Sequence, residues 1–140
     1  LTHKSLHFQR IAVSVDFSAS DNKALNYALH LSNENSEIIL IHILNNIGSI
    51  IYQNQMESAE FIEDKKYIER YCELLQQKNR QCFYVIGFGN PKSEIPRIVK
   101  EKQADVLIMA AHGHKTFKDF LLGTTIDEVR HKLDVPLLIV

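Results

Sequence analysis

Short runs of β-branched and other apolar residues alternate along this chain with stretches whose apolar residues recur at helical spacing. The strand-like runs cover residues 10–15, 37–44, 81–86, 105–110 and 135–140. The run 37–44 is almost continuously apolar, which is typical of a strand that is covered on both faces. This alternation predicts βαβ units, and therefore a mostly parallel sheet with helices on both faces.

The helical stretches are predicted over residues 18–32 and 56–78, after residue 93, and from residue 125 onward. Ser20 and Ser93 have the residue type that favours helix N-caps. Pro96 then falls in the first turn of its helix, where proline is tolerated. Residues 45–55 have no clear period and are predicted to form a loop. After the third strand, the cluster of Gly87, Gly89, Asn90 and Pro91 is predicted to form a turn.

Composition limits the classes of function. The chain has 140 residues and a net charge of −1, so we expect one compact domain over 1–140 and no electropositive surface for nucleic acid. Two cysteines, Cys72 and Cys82, do not make a disulfide framework or a metal-ligand pattern, which favours a reducing compartment. No apolar stretch approaches the roughly 20 residues of a membrane span. The first residue is Leu1 rather than methionine, and we interpret the chain as a segment of a longer protein.

Three predicted strands end in loops that can meet at one edge of a parallel sheet, the edge where ligands of such folds bind. Asp16 follows the first strand, Ile43 lies near the end of the second, and Ala110 ends the fourth. After Ala110 come two glycines, at positions 113 and 123, and then a helix start with two threonines. Glycines beside a helix N-terminus are suited to binding phosphate, but loop glycines followed by a helix cap explain the same pattern. Both interpretations stay open.

Other polar residues also have two interpretations. Asp16 either caps the first helix region or accepts a hydrogen bond from a ligand hydroxyl, and we favour the ligand. His42 lies in the middle of a strand and is interpreted as a core histidine whose nitrogens are satisfied, rather than as a metal ligand. His112 and His114 have no third partner for a metal, so no metal site is predicted.

The loop after the fourth strand resembles a motif of the universal stress proteins (UspA-like). The nucleotide-binding branch of that family has G-x2-G-x9-G-[ST] at this place, and this chain has Ala110-x2-Gly113-x9-Gly123-Thr124. The similarity covers nearly the whole chain. It includes the segments 13–18, 20–25, 40–43, 89–91 and 135–140.

The resemblance implies a five-stranded open parallel sheet of order 3-2-1-4-5, of the adenine-nucleotide alpha-hydrolase-like (Rossmann-like) type. It also implies that ATP, accompanied by Mg, binds between the ends of the first and fourth strands, and that strand 135–140 pairs two copies in a homodimer. Carried over by position, the residues expected to contact adenine or ribose are Ser14, Val15, Asp16 and Ile43, and those expected to border ribose and phosphates are Met109, Ala110, His112, Gly113, Gly123, Thr124 and Thr125.

The chain departs from the family motif at Ala110, which replaces the first glycine. If this residue keeps a negative φ, the substitution costs little. If a positive φ is required, alanine is unfavourable by roughly 1–2 kcal/mol.

A narrower resemblance concerns the segments 87–92, 111–114, 123–125 and 129–131. They are similar to a subset of universal stress proteins that forms a cytosolic tail of Nramp-type manganese/iron transporters. This implies a cytoplasmic location, either free or tethered to the inner membrane through such a transporter.

The function implied by the resemblance is that of an ATP-binding regulatory domain in the stress response. The alternatives are a nucleotide-free dimeric interaction module and a slow ATPase. The chain has no Walker A sequence, no GxGxxG and no clear general base placed beside a nucleophile, so no catalytic residue is predicted.

Overall fold

A computed structural model describes residues 8–44, 58–111 and 124–140. These residues form a five-stranded sheet in which every neighbouring pair of strands is parallel. Its spatial order is β3-β2-β1-β4-β5, as the resemblance implied. The strands are β1 (Arg10–Ser14), β2 (Glu37–Leu44), β3 (Gln81–Phe88), β4 (Val106–Met109) and β5 (Leu137–Ile139).

The central strand β1 fixes the topology. Ile11 lies opposite Ile38 of β2 on one side and opposite Val106 of β4 on the other. The chain leaves β1 for β2 and β3, and later crosses back to place β4 on the other side of β1. The strand order therefore reverses between β1 and β4, and this is where open α/β sheets have their ligand crevice.

Helices connect the strands within the described ranges. They are α1 (Ser20–Leu31), α2 (Ala59–Gln77), α3 (Pro91–Glu101) and α4 (Thr125–Lys132). None of these helices is both long enough and apolar enough to cross a bilayer. The loop predicted over 45–55 lies outside the described residues.

The sheet separates two apolar cores, which confirms the prediction of helices on both faces. On one face α1 and α2 pack through residues such as Ala24, Ala28 and Ile68. On the other face α3 and α4 pack through residues such as Ile98 and Val129. Both cores use alternate residues of the same strands, because successive side chains of a strand point to opposite faces.

Two of the predicted helix starts were wrong in detail. The N-cap of α1 is Ala19, which makes no side-chain cap bond, and Ser20 is already helical. Helix α3 is capped by Asn90, whose side chain accepts a hydrogen bond from the N–H of Lys92 at 3.0 Å. Because the helix starts at Pro91 rather than near Ser93, Pro96 lies inside it and not in its first turn.

The strand β3 extends two residues beyond its predicted end, through Gly87 to Phe88. Gly87 was predicted to lie in a turn, but it has a packing role inside the strand. A Cβ atom at this position would lie 2.7 Å from Cδ1 of Ile43 and 3.0 Å from Cδ1 of Ile98. The missing side chain therefore lets α3 pack closely against the end of β2.

The cap of α3 gives a prediction about stability. We expect Asn90→Ala to lower the free energy of unfolding by about 1 kcal/mol, since the Lys92 N–H loses its acceptor. The control is Ser93→Ala, which removes only an exposed bond of the Ser93 hydroxyl to the Asn90 carbonyl and should cost less. Urea unfolding of the two variants measures the difference, and an equal or larger loss in Ser93→Ala would contradict the assignment of Asn90 as the cap.

Candidate functional site: a cleft between the ends of β1 and β4

A cleft with about 540 Å³ of empty volume, partly open to solvent, lies at the carboxyl ends of the central strands. Side chains from β1, β2, β4 and the starts of helices contribute to it. The lining residues are Ser14, Val15, Asp16, Asp21, His42, Ile43, Pro91, Ile95, Met109, Ala110 and Thr125.

The turn from β1 into α1 is held by the carboxylate of Asp21. Its Oδ1 accepts a hydrogen bond from the N–H of Asp16 at 3.2 Å, and its Oδ2 accepts one from the N–H of Phe17 at 2.7 Å. The hydroxyl of Tyr71, on α2, donates to the same Oδ2 at 2.9 Å. Phe17 has a φ of 64°, a conformation that L residues adopt at a cost. The buried carboxylate thus holds a strained turn in place.

Burial has a consequence for the charge of Asp21, which is 1% exposed. Loss of solvation, together with the nearby negative charge of Asp16, raises the pKa of Asp21 from 3.8 to about 7. Burial and the proximity of Asp21 also raise the pKa of Tyr71, which donates a hydrogen bond to this carboxylate. The cleft therefore contains one carboxyl group that titrates near neutral pH.

Asp16 is half-buried, and among the described residues only one of its two carboxylate oxygens accepts hydrogen bonds. Its Oδ1 accepts hydrogen bonds from the N–H of Ser18 at 3.0 Å and from the Ser18 hydroxyl at 2.6 Å. Among the described residues no group donates to Oδ2. One oxygen of Asp16 therefore holds the turn, and the other is able to accept a hydrogen bond.

His42 behaves as the predicted satisfied histidine, but it also borders the cleft. Its Nδ1 lies 3.0 Å from the Val15 carbonyl, and its Nε2 lies 2.8 Å from Oδ2 of Asp64 on α2. The Val15 carbonyl and the Asp64 carboxylate are both hydrogen-bond acceptors. The ring also contacts Phe17, with the two ring centroids 4.4 Å apart.

Ala110, the departure from the glycine motif, does not have a positive φ. The backbone strain considered from the sequence therefore does not arise at this residue. Beside it, Met109 is buried at the end of β4 and forms part of the apolar wall of the cleft together with Val15, Ile43 and Ile95.

Thr125 begins α4 and is 1% exposed, and its hydroxyl oxygen has no hydrogen-bond partner within the described ranges. A buried hydroxyl without a partner costs roughly 1–3 kcal/mol. It lies at a helix start, where backbone N–H groups are also left unpaired. An anionic or hydroxylated ligand in the cleft would satisfy this group.

The positions predicted from the sequence are distributed as follows. Ser14, Val15, Asp16, Ile43, Met109, Ala110 and Thr125 lie together around the cleft. Thr124 is described but is not among the lining residues. His112, Gly113 and Gly123 lie outside the described residues.

Sequence reasoning missed Asp21, Pro91 and Ile95, and it did not place His42 at the site. Asp21 looks like an ordinary acidic residue in the first turn of a helix, a common and unspecific feature. Pro91 and Ile95 reach the cleft because α3 starts three residues earlier than predicted. In the described part of the chain, no three His, Cys, Asp or Glu side chains come together as a metal site.

The cleft has an apolar wall beside carboxylate and hydroxyl oxygens, which suits a small ligand with one flat apolar part and one hydroxylated or charged part. Fold and cleft together define the class of open α/β proteins that bind at the switch point of the sheet. The family model described as "Universal stress protein family" matches residues 7–140. The chain belongs to the universal stress protein family.

Individual members show how far the similarity extends. The chain is 24% identical over 156 residues to Universal stress protein MJ0577 of Methanocaldococcus jannaschii, covering 97% of this chain and 96% of that protein. A structure of MJ0577 superposes with a TM-score of 0.81 over 94% of both chains, at 26% identity.

Two further structures of the same fold contain nucleotides. A universal stress protein in complex with cAMP has a TM-score of 0.66 and 20% identity, over 96% of this chain and 97% of that one. The universal stress protein of Archaeoglobus fulgidus in complex with dAMP has a TM-score of 0.69 and 17% identity, over 94% and 96% of the two chains.

The raised pKa of Asp21 predicts how stability depends on pH. The protonated carboxyl is favoured in the folded state, so its contribution is fully present below the unfolded pKa of 3.8 and is lost as pH rises to about 7. In Asp21→Asn this titration is absent. We expect the wild type to lose stability relative to the variant by up to about 1.4 kcal/mol per pH unit between about pH 4.5 and 7.

Urea unfolding of both proteins at several pH values measures this difference. The asparagine of the variant also places an amide N–H₂ group near other donors, but that penalty is constant with pH and does not affect the slope. Parallel stability curves for the two proteins would show that Asp21 titrates at its ordinary value.

Proposed function

We propose that this chain binds an adenine nucleotide, ATP accompanied by Mg²⁺, in the cleft between β1 and β4, and that it acts as a regulatory module of the stress response. The observation that carries the proposal is the buried hydroxyl of Thr125, which borders the cleft at a helix start without a partner in the described part of the chain. Phosphate oxygens are the ligands that such a position favours.

The rest of the cleft supports the same ligand class. The free oxygen of Asp16 can accept a hydrogen bond from a ribose hydroxyl, and the wall that includes Val15, Ile43 and Met109 offers an apolar surface to a base. Two members of the family have been studied in complex with cAMP and dAMP, both of which are adenine nucleotides.

The proposed roles follow the position of each residue. Ser14, Val15, Asp16 and Ile43 contact adenine and ribose, and Met109 and Ala110 border the ribose. The phosphates are held by Thr125, and by His112, Gly113, Gly123 and Thr124 as the family motif implies. Mg²⁺ binds to the phosphates of ATP, as it commonly does in nucleotide sites.

Two buried hydroxyls give opposite predictions. Thr125→Val removes a hydroxyl that has no described partner, so we expect unchanged or higher stability of the nucleotide-free protein and about tenfold weaker ATP binding. Ser36→Ala removes a hydroxyl that donates to the Phe8 carbonyl at 2.7 Å and accepts from the N–H of Asn33 at 3.0 Å. Ser36 precedes β2 and so lies at the amino ends of the strands, away from the cleft. This control should therefore lose about 1–3 kcal/mol of stability and keep its affinity for ATP.

Isothermal titration with Mg-ATP and urea unfolding measure the two quantities for each variant. If Thr125→Val binds ATP as tightly as the wild type, Thr125 does not hold the phosphates. If the wild type shows neither binding heat nor a thermal shift at millimolar ATP, the nucleotide-free interaction module replaces the proposal. Loss of ATP in single-turnover mixtures would instead favour the slow ATPase.

We also propose a homodimer that pairs through β5. In the described residues β5 pairs only with β4, so its outer edge presents unpaired backbone groups, which proteins usually cover. Ile139 on this strand is 43% exposed.

Lysine substitutions on the two edge strands of the sheet, one on each, test the dimer interface. Ile139→Lys should shift the mass measured by light scattering from dimer to monomer, because a charge then lies in the interface. The control is Phe83→Lys on the opposite edge strand β3, where the side chain is 54% exposed and where no dimer contact is proposed. A monomeric wild type, or a dimer lost only in Phe83→Lys, would rule out the β5 interface.

We further propose that the domain is the cytosolic regulatory domain of an Nramp-type manganese/iron transporter. The support is the likeness of segments 87–92, 111–114, 123–125 and 129–131 to that subset of the family. Sequencing of the gene upstream of the Leu1 codon tests this attachment directly.

A further inference from the structure

The two cysteines lie ten residues apart in the sequence and meet in the fold. The Sγ atoms of Cys72, on α2, and Cys82, on β3, are 2.7 Å apart. Cys72 belongs to the buried stripe of α2 together with Ile68 and Leu75. Cys82 turns toward the same helix, since its neighbours on β3 point away from this core. The packing of α2 on the sheet therefore brings the two thiols into contact.

The pair is chemically asymmetric. The hydrogen bond that Cys72 shares with Cys82 holds the pKa of the Cys72 thiol below its ordinary value. The same bond, with burial, raises the pKa of Cys82. Cys72 is therefore the thiol that more readily becomes a thiolate, and the thiolate is the form that reacts with oxidants.

A groove at the surface is lined in part by both cysteines. It is lined by Glu69, Cys72, Glu73, Gln76, Cys82, Phe83 and Tyr84. Each cysteine keeps a small exposed fraction, 5% for Cys72 and 6% for Cys82. Two carboxylates, Glu69 and Glu73, border this groove, so a small neutral oxidant is favoured over an anionic one.

We propose that Cys72 and Cys82 are a peroxide-reactive dithiol that converts reversibly to an intramolecular disulfide between α2 and β3. This site is separate from the cleft and does not depend on nucleotide binding. A disulfide bond is about 2.05 Å long, so closing it requires the sulfurs to approach by less than about 1 Å.

The reaction is balanced with hydrogen peroxide as the two-electron oxidant. The Cys72 thiolate attacks one peroxide oxygen, the S–O bond forms, the O–O bond breaks, and the leaving hydroxide takes up a proton to become water. The Cys82 sulfur then attacks Sγ of the Cys72 sulfenic acid. The S–S bond forms, the S–O bond breaks, and a second water leaves with the Cys82 proton. An external dithiol such as dithiothreitol reverses the reaction by thiol–disulfide exchange.

The test uses the reduced wild-type chain. After treatment with hydrogen peroxide, free thiols are alkylated in denaturant and the protein is digested with trypsin without reduction. Cleavage after Arg70, Lys78, Arg80 and Lys92 separates the two cysteines into peptides 71–78 and 81–92. We expect these peptides joined, about 2 Da lighter than their sum, in protein that stays monomeric by non-reducing electrophoresis and returns to free thiols with dithiothreitol. Recovery of both peptides alkylated, or a disulfide only between two chains, would overturn the proposal.

Single variants test the order of the steps. In Cys82→Ser the sulfenic acid has no resolving thiol, so dimedone should label Cys72 after peroxide. In Cys72→Ser only the thiol with the raised pKa remains, and labelling at Cys82 should be at least about tenfold slower. Equal labelling rates in the two variants would contradict the assignment of Cys72 as the attacking thiol. The wild-type digest remains decisive if either variant fails to fold.

Discussion

The carboxylate of Asp21 is the group on which the geometry of the cleft depends. It accepts hydrogen bonds from the backbone N–H groups of Asp16 and Phe17, and from the hydroxyl of Tyr71. Asp21 belongs to α1 and Tyr71 to α2, so one buried group joins the end of β1 to two helices. Without these acceptors the N–H groups of a strained turn would be buried and unpaired, at a cost comparable to several lost hydrogen bonds.

Three unfavourable features lie around this cleft. They are the positive φ of Phe17, the raised pKa of Asp21 and the unpartnered hydroxyl of Thr125. The apolar cores on either side of the sheet are built mainly from buried aliphatic residues. Among the described residues, the buried groups with perturbed pKa values in these cores are Cys72 and Cys82, which are hydrogen-bonded to each other. Strained residues and perturbed pKa values are found more often at functional sites than elsewhere in a fold. The three features around the cleft are the physical basis for locating the proposed nucleotide binding here.

Features that depend on local periodicity and on family motifs could be predicted from the sequence. The strands, the two-sided covering of the sheet and the order of its strands were confirmed, and so was the family. Helix starts were less predictable, because Ser20 and Ser93 have the right residue type while backbone geometry selects Ala19 and Asn90 as the caps. Gly87 was likewise assigned to a turn from its residue type. Its role in packing depends on the closeness of Ile43 and Ile98, which only the tertiary structure reveals.

By itself the sequence determined a parallel α/β sheet and a set of positions at the ends of β1, β2 and β4, because these follow from the spacing of residues along the chain. The family followed from the resemblance of its motifs. Only the tertiary structure decided which polar groups share an environment. The inward face of α2 brings Asp64 to His42, Tyr71 to Asp21 and Cys72 to Cys82, in each case across a loop or from another element. Such pairings are set by how a helix rotates and slides on a sheet, and that depends on the packing of the whole core rather than on any local pattern.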